Sequence, residues 1–444
     1  MFATACYAGR LAVKILVFNV KYSENLGDGL LALCIEKYLG HGGVDNVQIE
    51  TIDLAGREGF GTSRNRRQPA IRILHRLPPF ARRMAVEYVL GRSLRKLRQE
   101  WEKKIAAADA VVIGGGNLFQ DDDLNFPLKV GTLLDCVRQA KRPLAIYAVG
   151  VSGHWSPRAK SLFERLHKTQ IVHLSVRDNF ASDNWSHHFP DGPAAEIFPD
   201  PGLLVRHMTG PQADLFEPKF KRVAGICVTE PIILERHASQ SVSAIPFRSV
   251  DDYRELIKLL LADGHRVCVF CNGAAEDQAF ANQILDDAAM AKHLASGRVE
   301  LAERPRTPEE LIDILTSTSV ILAHRLHACI AAYSLAIPHV GLGWDKKVQG
   351  FFQSVGREEY FVNGTDACVR NVWLQLNAAE REGIDAQRHA AVLEFAQSGL
   401  SHLRQALECT VRNNFTTSPK IYRKGITTSS DVVNHGVLSS RKWI

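Results

Sequence analysis

Short runs of strand length, apolar at nearly every position, alternate along this chain with stretches of helical spacing, and the alternation occurs twice. A strand that is apolar on both faces must be covered on both faces. This is the condition of a parallel sheet between helix layers. The first pass has strands expected at 14–20, 47–52, 110–113, 143–149 and 171–176. Helices are expected at 30–39, 80–107, 126–140 and 159–167. Residues 206–221 are polar, with two prolines and a glycine, and read as a linker. The second pass has strands at 223–228, 266–271, 298–301, 320–323 and 339–342, with helices at 251–261, 275–290, 308–315 and 328–335. Thr307 with Glu310 reads as a capping box for the third of these. The expected fold class is therefore α/β, as two consecutive βα domains (14–205 and 222–363) with a cleft between them. Residues 364–410 read as terminal helices and 415–444 as a loose tail, so that 364–444 closes the chain.

The composition, 45% hydrophobic and 23% charged over 444 residues, excludes a disordered or collagen-like chain, and the length calls for more than one core. No apolar run is long enough to span a bilayer, and the N-terminus does not read as a signal peptide. Nine scattered cysteines then read as reduced thiols, and the expected location is cytoplasmic. Cys268 and Cys271 form a C-x-x-C inside an apolar run, which favours buried strand cysteines over a redox or metal pair. Charge is unevenly placed. Residues 57–104 carry fourteen Lys or Arg against four acids, an excess of +10 in a chain whose net charge is +6. This basic insertion reads either as a solvated helical face or as a surface that meets anions, such as an anionic membrane leaflet. No nucleic-acid module accompanies it, so no nucleic-acid partner is expected.

Four motifs stand where strands end, which is where ligands gather in open α/β sheets. Asn25-Leu26-Gly27-Asp28 opens the first helix, and Asp28 is either its cap or a general base. Gly114-Gly115-Gly116-Asn117 is neither a dinucleotide fingerprint nor a Walker loop; it suits a turn, or a loop whose N–H groups reach an anion. The aspartates at 121–123 after it read as a solvated turn rather than a metal site. Ser175-Val176-Arg177-Asp178 offers a guanidinium for a carboxylate or phosphate, or a plain Arg177–Asp178 pair. His324-Arg325-Leu326-His327 is the most informative. If the backbone stays extended there, Arg325 and His327 share a face and point into the cleft, suited to a small phosphate ester, while His324 is structural. Trp344-Asp345-x-Lys347 adds an ammonium to the same rim.

Taken in order, with Gly150-Val151-Ser152, Asp200-Pro201 and Pro338, these motifs resemble the polysaccharide pyruvyl transferase family over about residues 14–355. The resemblance implies two Rossmann-like domains in a GT-B-like arrangement. It implies an enzyme that moves a pyruvyl group from phosphoenolpyruvate onto saccharide hydroxyls as a ketal, in exopolysaccharide or cell-surface glycan biosynthesis. Phosphoenolpyruvate is then the donor substrate, with no cofactor and no metal. The family's Arg-x-His pair carries over to Arg325 and His327, and its second arginine position to Arg177. Trp344 stands where the family usually has Tyr. The expected catalytic residues are His327, Asp28 and Asp178. Arg325, Arg177, Lys347, Asn25, Gly115, Gly116 and Asn117 are expected to bind substrate. The resemblance also allows a lipid-linked acceptor, with the protein peripheral at the inner membrane face through 57–104. A nucleotide-sugar glycosyltransferase of GT-B type and a non-catalytic polysaccharide-assembly partner are the competing readings.

Overall fold

The structure, a computed structural model, describes residues 13–40, 47–61, 78–208, 222–237, 245–364 and 367–416. The N-terminal segment, much of the linker, part of the basic insertion and nearly all of the tail named above lie outside these residues.

The first half holds β1 (Val13–Asn19), α1 (Leu26–Gly40), β2 (Val47–Asp53), α2 (Pro79–Ala106), β3 (Ala110–Gly114), α3 (Asn125–Ala140), β4 (Pro143–Val149), α4 (Pro157–Phe163), β5 (Gln170–Val176), α5 (Asn179–His188) and β6 (Glu196–Ile197). Its strands form one parallel sheet in the order β2-β1-β3-β4-β5-β6. The alternation within β1 shows why the sheet is covered twice. Ile15 and Val17 enter one core cluster, Leu16 and Phe18 the other.

The second half holds β7 (Val223–Val228), α6 (Pro231–His237), α7 (Val250–Ala262), β8 (Arg266–Cys271), α8 (Ala275–Leu285), α9 (Ala288–Ala295), β9 (Val299–Leu301), α10 (Pro308–Thr316), β10 (Val320–Ala323), α11 (Leu326–Ser334), β11 (His339–Leu342), α12 (Lys346–Val355) and β12 (Phe361–Val362). This sheet is also parallel, ordered β12-β11-β10-β7-β8-β9. Helices α13 (Val369–Glu382) and α14 (Ala386–Thr416) follow. The α/β class and the pair of parallel-sheet domains are as expected.

Details differ for physical reasons. The helix expected over 275–290 breaks after Leu285, because Asp287 caps a new helix by accepting from Ala289 N–H at 2.7 Å. Thr307 Oγ1 caps α10 as expected, accepting from Glu310 N–H at 3.3 Å. The returning bond from Glu310 goes to the N–H of Arg306, one residue earlier than a capping box places it. Helices α5 and α12 were not foreseen. Cys268 and Cys271 are free and buried in β8, where burial pushes their thiols up to about 12 and about 11.

One apolar cluster runs from the first sheet into the second. The turn at 201–208 joins them: Ser334 Oγ on α11 donates to Leu203 O at 2.7 Å and accepts from Arg206 N–H at 2.9 Å. Helix α14 then crosses both domains. His389 Nε2 lies 2.8 Å from Tyr333 O, and Ser401 Oγ lies 2.9 Å from the Tyr38 hydroxyl. The seam between the domains is therefore packed, and the loops at the strand ends meet in fixed positions.

Candidate functional site

Each sheet reverses its winding once. In the first the reversal falls between β1 and β3, in the second between β7 and β10. Such points open a crevice beyond the strand ends. The passage from β1 into the first turn of α1 carries Asn25 and Asp28, the end of β3 and the turn after it carry Gly114 to Asn117, and the passage from β10 into the first turn of α11 carries Arg325 and His327. The two crevices meet across the seam. Leu26 N–H donates to Asn272 O at 3.0 Å, and the Asn272 amide donates to Asn25 Oδ1.

His327 reaches out of the second domain into the first. Its Nδ1 lies 3.7 Å from Asp28 Oδ1, and its Nε2 lies 3.8 Å from Asp200 Oδ2. Gly27 makes the approach possible, because a Cβ there would stand 2.2 Å from His327 Cβ. Both His327 Nε2 and Asp200 Oδ2 are buried with no hydrogen-bond partner. Burial of that kind is costly and is a mark of functional sites. Burial holds the Asp28 carboxyl up to about 6, against the pull of the Ser23 hydroxyl, Arg57, Lys347 and Arg325. Asp200 is also held up to about 6 by burial, reinforced by Asp28 and Asp178 and opposed by Arg177 and the Gly202 N–H. Burial and the charges of Arg177, Lys347 and Arg325 push His327 down to about 3. A neutral imidazole thus stands between two carboxyl groups that titrate close to neutrality.

The backbone is not extended through His324–His327, contrary to expectation. Helix α11 starts at Leu326, with Arg325 as its N-cap. The pair consequently diverges: His327 faces the first domain, while Arg325 turns toward its own. Arg325 Nη2 and Nε donate to Asp277 Oδ2 at 2.5 and 3.2 Å. Asp277 is fully buried, and its other oxygen accepts from Glu230 N–H at 2.9 Å. His324 is structural, as expected, with Nε2 at 2.8 Å from Pro246 O and its own carbonyl accepting from Trp344 Nε1 at 2.6 Å.

Arg177 and Lys347 complete the cationic side. Gly150 leaves space for Arg177 and Asn117, since a Cβ there would lie 2.5 Å from Asn117 Oδ1 and 2.7 Å from Arg177 Nη2. Lys347 sits 4.2 Å from the Trp344 ring and 3.7 Å from Asp345. Its ammonium is pushed down by burial and by Arg177 and Arg325, while Asp345 and Asp28 oppose. Asp178 is committed elsewhere. One oxygen caps α5 by accepting from Ala181 N–H at 2.7 Å, and the other accepts from Arg177 Nε at 3.2 Å. That arrangement orients Arg177 and engages both oxygens of Asp178. Gly115 and Gly116 take positive φ of 73° and 79°. Gly115 N–H is engaged with Tyr147 O at 3.0 Å, so it serves the turn rather than a ligand. Asn117 Nδ2 donates to Gln120 at 2.6 Å, and Asn25 Nδ2 to Asp28 Oδ2 at 3.4 Å. The aspartates at 121–123 bind protein groups: Asp121 accepts from Leu124 and Ser156 N–H, and Asp123 pairs with Arg82 at 2.6 Å. Among the described residues no group of three His, Cys, Asp or Glu is placed to hold a metal ion.

Two residues of the site were missed from the sequence. Asp200 stood in Asp200-Pro201, which entered the family resemblance but carried no role, because with Gly202 it reads as punctuation after a strand. Asp277 carries no signal beyond an acid in a helix's first turn.

A family model described as polysaccharide pyruvyl transferase matches residues 25–346. No curated protein matches the chain. Among solved structures, UGT73P12 of Glycyrrhiza uralensis, complexed with glycyrrhetinic acid 3-O-monoglucuronide, is 9% identical with a TM-score of 0.52, covering 91% of this chain and 97% of that one. The UDP-GlcNAc 2-epimerase of Methanocaldococcus jannaschii is 11% identical with a TM-score of 0.49, covering 89% and 99%. At such identities the likeness is one of fold, and the fold is GT-B-like.

Proposed function

The chain belongs to the polysaccharide pyruvyl transferase family, and we propose that it joins the pyruvyl group of phosphoenolpyruvate to two hydroxyls of one saccharide as a cyclic ketal, releasing phosphate. The observation that carries this reading is the presence of three cations, Arg177, Arg325 and Lys347, near enough to the buried His327 for each to depress its imidazole, although Arg325 is itself turned toward Asp277. A compact donor bearing a phosphate and a carboxylate needs several fixed cations, and guanidinium groups already held by Asp178 and Asp277 are pre-organised for it.

The chemistry then divides between the donor anion and the carboxyl groups. The first acceptor hydroxyl adds through oxygen to C2 of the donor and gives its proton to a base, while C3 takes a proton from an acid as the double bond is lost, so the methylene becomes a methyl. The second hydroxyl then forms its bond to C2 as the C2–O bond to phosphate breaks, and its proton leaves to a base. A carboxyl titrating near 6 suits both duties, and Asp28 and Asp200 are two such groups joined through His327. The donor's negative charge raises the proton affinity of all three side chains, so donor binding itself loads the proton that C3 requires. The scheme uses no metal ion. A lipid-linked acceptor would place the reaction at the inner membrane face.

The test is phosphate release from phosphoenolpyruvate across candidate glycans, with mass spectrometry for the pyruvyl increment. Release of a nucleoside diphosphate from an activated sugar, with no use of phosphoenolpyruvate, would replace this reading with glycosyl transfer. Thermal stabilisation by neither donor would favour an assembly partner without catalysis.

A further inference from the structure

Helix α2 is longer than the sheet it covers. Its 28 residues extend about 42 Å at the usual helical rise, whereas a seven-residue strand such as β1 extends about 23 Å. It leads into β3 after a short turn, so it runs antiparallel to the strands, and its N-terminal half overhangs their carboxyl edge. That edge carries the turns with Asp28, Gly115 and Arg177. The C-terminal half is anchored by Leu94, Trp101 and Ile105, all buried, with Trp101 edge-on to Phe18. The N-terminal half is tied to the loops of the same edge by ion pairs from Arg82 to Asp123 at 2.6 Å and from Glu87 to Arg158 at 2.7 Å.

The outer face of this overhang is unlike a solvated helix. Phe80, Met84 and Tyr88 recur at four-residue spacing and are 70%, 68% and 67% exposed. Arg95 stands on the same face, about 20° from Met84 around the helix, and Arg92 stands at its side; both are exposed, with Arg92 Nη1 donating to the Tyr88 hydroxyl at 3.2 Å. Arg83 and Lys96 flank it, also exposed. Apolar tips followed by cations along one ridge match a bilayer surface, with hydrocarbon within reach of the tips and anionic headgroups within reach of the cations. A second copy of the chain would set these same cations against each other. We propose that this ridge seats the protein on an anionic membrane leaflet, with the cleft mouth toward the lipid. The proposal rests on the transferase reading only for its purpose, the delivery of a lipid-linked acceptor.

The experiment is co-sedimentation of the full chain with phosphatidylcholine vesicles, with and without phosphatidylglycerol, at low and high salt. No donor or saccharide is present. Binding is expected only with the anionic lipid and is weakened by salt. The double variant Arg92→Glu, Arg95→Glu is expected to bind at least about 25-fold more weakly, at roughly five-fold per basic residue lost. The variant Phe80→Ser, Met84→Ser is expected to lose about ten-fold, as apolar burial is removed. Both should keep the wild-type melting temperature and transfer to a soluble acceptor. Absence of vesicle binding, binding indifferent to lipid charge, or wild-type binding by either variant overturns the proposal. So does a wild-type dimer that the variants dissociate without any lipid binding. Vesicle binding without pyruvyl transfer would instead count against the transferase reading alone.

Discussion

The site's electrostatic strain predicts that Asp28→Asn makes the protein more stable as it makes it inactive. Burial raises the Asp28 carboxyl from 3.8 to about 6. A shift of about two units at about 1.4 kcal/mol each amounts to ~3 kcal/mol. The sign follows from proton binding. The folded state holds this proton more tightly than the unfolded chain, so the contribution of this carboxyl to wild-type stability is greatest below the unfolded value. The wild type loses that advantage as the pH rises through the interval from 3.8 to about 6, and above this interval it carries the whole cost of the buried charge. Asparagine has no charge to bury. The variant should therefore gain up to ~3 kcal/mol over wild type at neutral pH, and the gain should shrink to nothing below the unfolded value. Urea midpoints of both proteins across this range measure it, beside phosphate release for activity. A gain that does not vary with pH, or no gain at neutrality, would refute the argument. Because the Asp28 charge itself raises Asp200, the double variant with Asp200→Asn should gain less than the sum of the single changes.

Gly27→Ala should fold but lose most transfer activity, because its Cβ would stand 2.2 Å from His327 Cβ; Gly91→Ala, whose Cβ would meet nothing within 4 Å, should stabilise α2 by about 1 kcal/mol and leave activity intact. Wild-type turnover in Gly27→Ala would remove His327 from the mechanism. Asp277→Asn should raise the donor KM more than it lowers kcat, since it releases Arg325 from its carboxylate; an unchanged KM would show that Arg325 does not meet the donor. Donor binding should take up protons near pH about 7, as the incoming negative charge raises His327, Asp28 and Asp200 together. Calorimetry in buffers of differing ionisation enthalpy reads that uptake, and binding enthalpies independent of buffer would argue against it.

The strand runs were legible because a parallel strand buried on both faces leaves its mark in consecutive residues. Val223–Val228, Arg266–Cys271, Val320–Ala323 and His339–Leu342 were read to the residue. Helix α5 was not, since its sequence mixes polar and aromatic residues with little period; α12 was missed although Val348, Phe351, Phe352 and Val355 keep helical spacing, and the two pack on each other, with Gly350 of α12 against Phe180 of α5. Local chemistry also placed Arg325, His327, Arg177 and Lys347 at strand ends, where sheets bind ligands. It could not say which way each would point. The helix beginning at Leu326 turned Arg325 back to Asp277 and sent His327 across to Asp28 and Asp200. Asp28 and Asp200 lie far apart along the chain, and only the packed seam puts one imidazole between them. Burial of charge is a property of that seam and not of any segment, so the carboxyls' shifted titration was decided by tertiary structure alone.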